Sequence, residues 1–162
     1  MNPIDTANAR QPGLLRRGAA IFYDCFLLVA LLTLADALVV LPLGLVLGID
    51  GSSVAAHPLF RLYLLLVIIG FFCWFWLRGG QTLGMRAWRI MLVRRDGGRV
   101  RLRDALLRLA AATVSWAALG LGFLWSLLDR QGLTWHDHLS GTLLVMLKKP
   151  GKNAIPPAEK FK

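Results

Sequence analysis

Arg17 and Asp24 lie at the start and inside of a long apolar run that should exclude both, so they are the first residues to ask for a chemical role. Seven residues at ~100° each return a helix to within roughly 20° of its starting azimuth, about 10.5 Å further along the axis. The two side chains therefore share a face. A carboxylate at the centre of a spanning helix costs roughly 2.5–3.5 kcal/mol on insertion scales and is normally turned inward and paired. The spacing predicts an Arg–Asp pair that neutralises the buried acid, with Arg17 favoured over its neighbour Arg16. Asp36 is a second acid in the same run. Twelve residues beyond Asp24 it sits about 120° around the helix, so one flat face cannot present both.

A third acid lies far along the chain, in Leu133-Thr-Trp-His136-Asp137-His138-Leu-Ser-Gly141-Thr142. Thr134 can cap a short helical turn there and Gly141 can end it. Asp137 is then either a local cap or a partner that docks on Arg17 or Arg16 and closes an Arg–Asp network. His136 is a secondary member of the same group. His136 and His138 invite a metal reading, but their rings diverge by about 200° on a helix, and no Cys or Glu cluster joins them. No metal site and no cofactor is expected. The Gly79-Gly80 and Gly97-Gly98 pairs lack the flanks of phosphate-binding loops and read as turns. No nucleophile–base pattern stands out, and the chain is not read as an enzyme.

The elements that must position these residues are apolar and long. Hydrophobic residues make up 56% of the 162-residue chain. Mean hydropathy is +0.57, too apolar for an ordinary soluble domain of this size. The first span is expected at about 18–47, with Pro42, Gly44 and Gly48 kinking or ending it, followed by a short polar loop without Lys or Arg up to Pro58. A second span is expected at about 59–77, closing on the aromatic cluster Phe71 to Trp76. The net charge of +10 is concentrated in blocks, with nine Arg from Arg78 to Arg108. Such blocks beside spans set orientation and meet anionic lipid heads, whereas nucleic-acid binding does not call for hydrocarbon-length runs between them. The positive-inside rule puts this segment and both termini on the cytoplasmic side.

Within it, residues 81–88 suggest a short in-plane helix that dips Leu83, Met85 and Trp88 into the headgroups. Residues 89–102, two apolar stretches around Asp96-Gly97-Gly98, predict a cytoplasmic β-hairpin, which a strand from Thr142 could join. The last apolar run, about 105–128, is too short for two crossings, and one crossing would carry the Lys-rich tail outside. A re-entrant helical hairpin turning near Gly120-Leu-Gly122 resolves this, with a plain third crossing as the alternative. Residues 1–14 read as a flexible tail, 15–147 as the membrane domain, and 148–162 as a disordered basic tail. Cys25 and Cys73 fall in the spans as free thiols.

The order of these parts resembles the RDD family of small prokaryotic integral membrane proteins, named for one Arg and two Asp. The motifs that carry the resemblance are Arg17 and Asp24 in the first helix, Gly80-Gln-Thr-Leu-Gly-Met-Arg86, Asp96-Gly-Gly98, and the segment around Asp137. The resemblance implies an α-helical fold with two full transmembrane helices plus a third re-entrant or spanning segment, in a multi-pass protein of the cell (inner) membrane. It also implies a transport role, with proton or cation exchange proposed for some members. Asp24 would then exchange a proton or small cation, beside Arg17 and Asp137. Two spans and a hairpin can hardly enclose a pathway, so a homo-oligomer is expected. The other class of function is a non-transporting scaffold whose basic face binds lipid or a partner protein.

Overall fold

The computed structural model describes residues 10–147. Helix α1 runs Leu14–Leu47 and ends at Gly48, whose left-handed φ of 64° lets its N–H reach back to the last-turn carbonyls. At 34 residues it is roughly 51 Å long, more than the ~30 Å hydrocarbon core requires. The helix continues through Pro42 and ends at Gly48, where the span was expected to close. The loop expected before Pro58 contains a further helix, α2 (Gly51–Ala56), opened by the Asp50 side chain accepting from the Ser52 N–H. This Asx cap is the local signal that the hydropathy pattern missed. Helix α3 (Pro58–Gly79) returns antiparallel to α1, with Pro58 in its first turn. The Tyr63 hydroxyl ties it to the Ala35 carbonyl of α1 at 3.3 Å.

Among the described residues, α1 and α3 are the two helices long and apolar enough to cross a membrane. Helix α5 (Leu102–Ala117) and helix α6 (Leu121–Leu128) pass the same test together, but the chain bends by 96° between them. The bend is made by Leu119 at φ 54° and Gly120 at φ 80°. It lies where the Gly120–Gly122 turn was expected.

Helix α4 (Leu83–Ala87) is the short helix of the Arg-rich segment, capped by Thr82. Met85 does not reach toward headgroups as expected. It is 8% exposed and belongs to the central core with Ala20, Trp76 and Ile90, because α4 packs flat on α1. The segment 89–102 also departs from expectation. Strand β1 (Ile90–Arg94) is followed by the Asp96-Gly97-Gly98 turn, in which the Arg94 N–H donates to the Gly98 carbonyl at 3.1 Å. The chain does not pair back on itself beyond that point. The partner of β1 is β2 (Thr142–Met146), antiparallel, with Ile90 opposite Met146 and Arg94 opposite Thr142. Ile90, Leu92, Val93 and Val145 are nearly fully buried, so this two-stranded ribbon closes the base of the bundle with apolar side chains. Burial against distant residues outweighs the short-range advantage of a local hairpin.

The stretch expected as a flexible tail is tied down where it is described. The Arg10 carbonyl accepts from the Met146 N–H at 2.9 Å, adding to the edge of β2. The expectations for residues 1–9 and 148–162 lie outside the described residues.

Candidate functional site

Helix α7 (Trp135–Ser140) sits between the bent pair and β2. Its first turn is a reciprocal cap: Thr134 Oγ1 accepts from the Asp137 N–H at 3.4 Å, and Asp137 Oδ2 accepts from the Thr134 N–H at 3.0 Å. Asp137 is therefore a cap, and it is also far more than one. Its Oδ2 takes Arg17 Nη1 at 3.1 Å and its Oδ1 takes Arg108 Nη1 at 2.6 Å, with the carboxylate fully buried. Three elements distant in sequence, α1, α5 and α7, meet on this one acid. Burial alone would raise its pKa, but the guanidiniums of Arg108 and Arg17 more than offset that and hold it well below the usual carboxylate range.

Arg17 is spent entirely on structure. Its Nε donates to the Pro12 carbonyl at 3.0 Å, and its Nη2 donates to Gln11 Oε1 at 3.1 Å and to the Gly132 carbonyl at 3.0 Å. Arg108 differs. Only its Nη1 is hydrogen-bonded, to Asp137 and to Thr142 Oγ1 at 2.8 Å; its Nε and Nη2 have no partner among the described residues.

The expected pair of Asp24 with Arg17 or Arg16 is not formed. Asp24 Oδ2 accepts from Thr82 Oγ1 at 2.5 Å, and Oδ1 accepts from the Gly84 N–H at 2.9 Å, so the buried acid of α1 is held by neutral donors at the start of α4. Sharing a face was not enough, because two helical turns leave the two groups about 10.5 Å apart along the axis. Gly84 is required at this contact: a Cβ there would meet the Ala20 carbonyl oxygen and would lie 2.9 Å from Asp24 Oδ1. Arg16 is exposed, with Nη1 3.6 Å from Met146 Sδ. Asp36 is exposed on α1 and makes no hydrogen bond or ion pair among the described residues. His138 is exposed too, facing Arg95 and Asp129.

These groups converge on a partly enclosed cavity of about 350 Å³ between α1, α3 and α5. Arg17, Asp24, Arg108 and His136 all line it, against a wall of Ile68, Phe72, Leu109 and Phe123. His136 is 4% exposed, and its ring lies 4.7 Å from that of Phe123. Burial pushes its imidazole down to about 3, and the Arg108 charge adds to the shift, so the ring is neutral at ordinary pH. His136 Nδ1 and Trp76 Nε1 are buried without a partner among the described residues. No group of three or more His, Cys, Asp or Glu among the described residues is placed to hold a metal ion.

Arg108, Thr82, Thr142 and Trp76 were not singled out from the sequence. Arg108 left a signal: it is the one charged residue in the 105–128 run. Thr82 lay inside the Gly80–Arg86 motif, but nothing local identified its partner.

Comparison with protein-family models gives a match to the RDD family over residues 11–141. That stretch contains every residue of the cluster except Thr142, which follows it directly. No curated protein and no solved structure matches the chain.

Proposed function

Because the chain belongs to the RDD family, a family of small membrane proteins, we propose that it is a small transporter in which Asp24 exchanges a proton or a small cation. The observation that carries this reading is the placement of Asp24. It lies in a spanning helix, is only 6% exposed, and faces an interior cavity rather than lipid. Its partners are a hydroxyl and a peptide N–H. A carboxylate held by neutral donors can gain or lose a proton, or exchange it for a cation, without breaking an ion pair. The Arg17–Asp137–Arg108 cluster then serves as a fixed base on which α1, α5 and α7 are registered. The positive-inside rule supports a cytoplasmic base, since the Arg-rich segment surrounds it. β2 pairs with β1, so both ends of the bent α5–α6 pair return to that base, which favours re-entry over a third crossing. One chain leaves the cavity partly open, and a closed path would need a second copy.

The scaffold reading draws on a different observation: Asp137 and Arg17 are committed to one another, to Arg108, to Gln11 and to the backbone, as a lock would be. Flux separates the two. Purified protein in vesicles is expected to move Na⁺, K⁺ or H⁺ above empty controls, and Asp24→Asn is expected to abolish that flux while keeping its fold. Wild-type vesicles indistinguishable from empty ones would remove the transport reading.

A further inference from the structure

The cavity has an apolar body and an excess of hydrogen-bond donors at one end. Arg108 is 5% exposed and Trp76 8% exposed, yet Arg108 Nε and Nη2 and Trp76 Nε1 have no acceptor among the described residues. The Arg108 guanidinium carbon lies over the Trp76 ring, 5.9 Å from its centroid, and both side chains line the cavity. A buried donor left without an acceptor is destabilising, and more so when it is charged. The charge at this end has the same sense: two guanidiniums share the single carboxylate of Asp137, leaving one positive charge in excess. Asp24, the other acid that lines the cavity, is engaged with Thr82 and Gly84 and not with either guanidinium. The mouth of the cavity is marked by Thr113 and Trp116, which line it and are also exposed on α5. Val114 and Ala117, beside them on α5, are exposed and apolar, so the mouth opens on an apolar surface suited to lipid tails. A volume of about 350 Å³ is at the small end of the ~300–1,000 Å³ usual for ligand sites, which suits one alkyl chain better than two.

We propose that this cavity binds a single-chain amphiphile with an anionic head, drawn laterally from the membrane, its head on Arg108 and Trp76 and its chain along Phe72 and Leu109. The anion supplies the acceptor that these three donor nitrogens lack and neutralises the excess charge, while the chain fills the apolar body. Neutral His136 adds a further polar contact beside the head. This inference goes beyond transport and does not depend on it, because occupancy is read at equilibrium and not as flux.

Thermal unfolding of the full chain in lipid nanodiscs tests it, with laurate, dodecyl phosphate, dodecanol and dodecylamine as probes. Laurate or dodecyl phosphate is expected to raise the midpoint by several degrees, and the uncharged and cationic probes are not. A larger shift with laurate would identify a free carboxylate as the source of the head, and a larger shift with dodecyl phosphate a phosphate ester. Trp76→Phe removes the unpartnered N–H together with the pyrrole half of a buried indole, so its ligand-free midpoint should fall, and the anionic shift, read against that lowered midpoint, should shrink. Ala112→Leu, which fills the cavity from α5, should abolish the shift as well, and provides the same reading if Trp76→Phe folds poorly. Equal shifts from all four probes, no shift from either anion, or an anionic shift retained in both variants would overturn the proposal.

Discussion

At the scale of single residues, Asp137 is where the fold is most exposed to damage. It answers two buried guanidiniums and caps its own helix, so Asp137→Asn leaves both cations without a counter-charge. Breaking a buried pair in this way typically costs about 3–5 kcal/mol, and denaturant unfolding in detergent should show a loss of that size. His136 makes acid sensitivity the second expectation. Its folded value of about 3 lies below the unfolded one near 6.5, so between these the unfolded chain binds a proton that the folded chain refuses. Stability is therefore full above about pH 6.5 and falls as the pH drops toward 3. Asp137, depressed as a carboxylate, adds to the loss only below about pH 4, where its unfolded form takes up a proton. His136→Phe should flatten the slope between pH 6.5 and 4 in a pH series of unfolding midpoints; an unchanged slope would assign it to other groups. Arg17 and Asp137 were both legible in the sequence as members of one charged network. Arg108 was not, because it was counted with the orienting basic block and not as a charge at the edge of an apolar helix.

At the scale of elements, the interfaces depend on close approach. Helix α4 lies against α1 at Gly84, where a methyl group would collide with the Ala20 carbonyl and crowd the Asp24 carboxylate. Gly84→Ala should thus separate the two helices and weaken the bonds that hold Asp24, at a cost of about 1–3 kcal/mol from overpacking. A measured loss below that range would mean that α4 shifts freely and that Asp24 is held less tightly than its two hydrogen bonds indicate. Helix α6 meets α5 at Gly122, where an added Cβ would strike the Ser115 hydroxyl. The elements themselves were largely visible in the hydropathy pattern, since α1, α3 and the α5–α6 break lie close to where apolar runs and glycines placed them. Pairing was legible in part. An apolar run identified β1 and an Asp-Gly turn suggested a local partner that does not form, whereas the strand expected from Thr142 does join the sheet, as β2. Periodicity reports which face is buried and is silent on what buries it. The same limit applied to Asp24, whose shared face with Arg17 was read correctly while its partners lay on α4.

At the scale of the whole molecule, the β1–β2 ribbon and the Asp137 cluster do one job from two sides. The ribbon joins the chain after α3 to the chain after α7, and the cluster joins α7 to the start of α1. Both ends of the α5–α6 pair are thereby held at the end of the bundle where α1 begins, whatever depth the Gly120 elbow reaches. Helix α5 is roughly 24 Å long and α6 roughly 12 Å, so the pair can enter the hydrocarbon layer but cannot span it twice. Leu119, 93% exposed at the elbow, is an apolar tip suited to lipid and not to water. Membrane-impermeant thiol labelling of single-cysteine variants, in a background without Cys25 and Cys73, should then modify Gln11→Cys and Leu147→Cys from the same side. Leu119→Cys should resist labelling from both sides. Modification of positions 11 and 147 from opposite sides would mean that α5 and α6 cross the membrane together, and β2 could not then pair with β1 beside the α1 start.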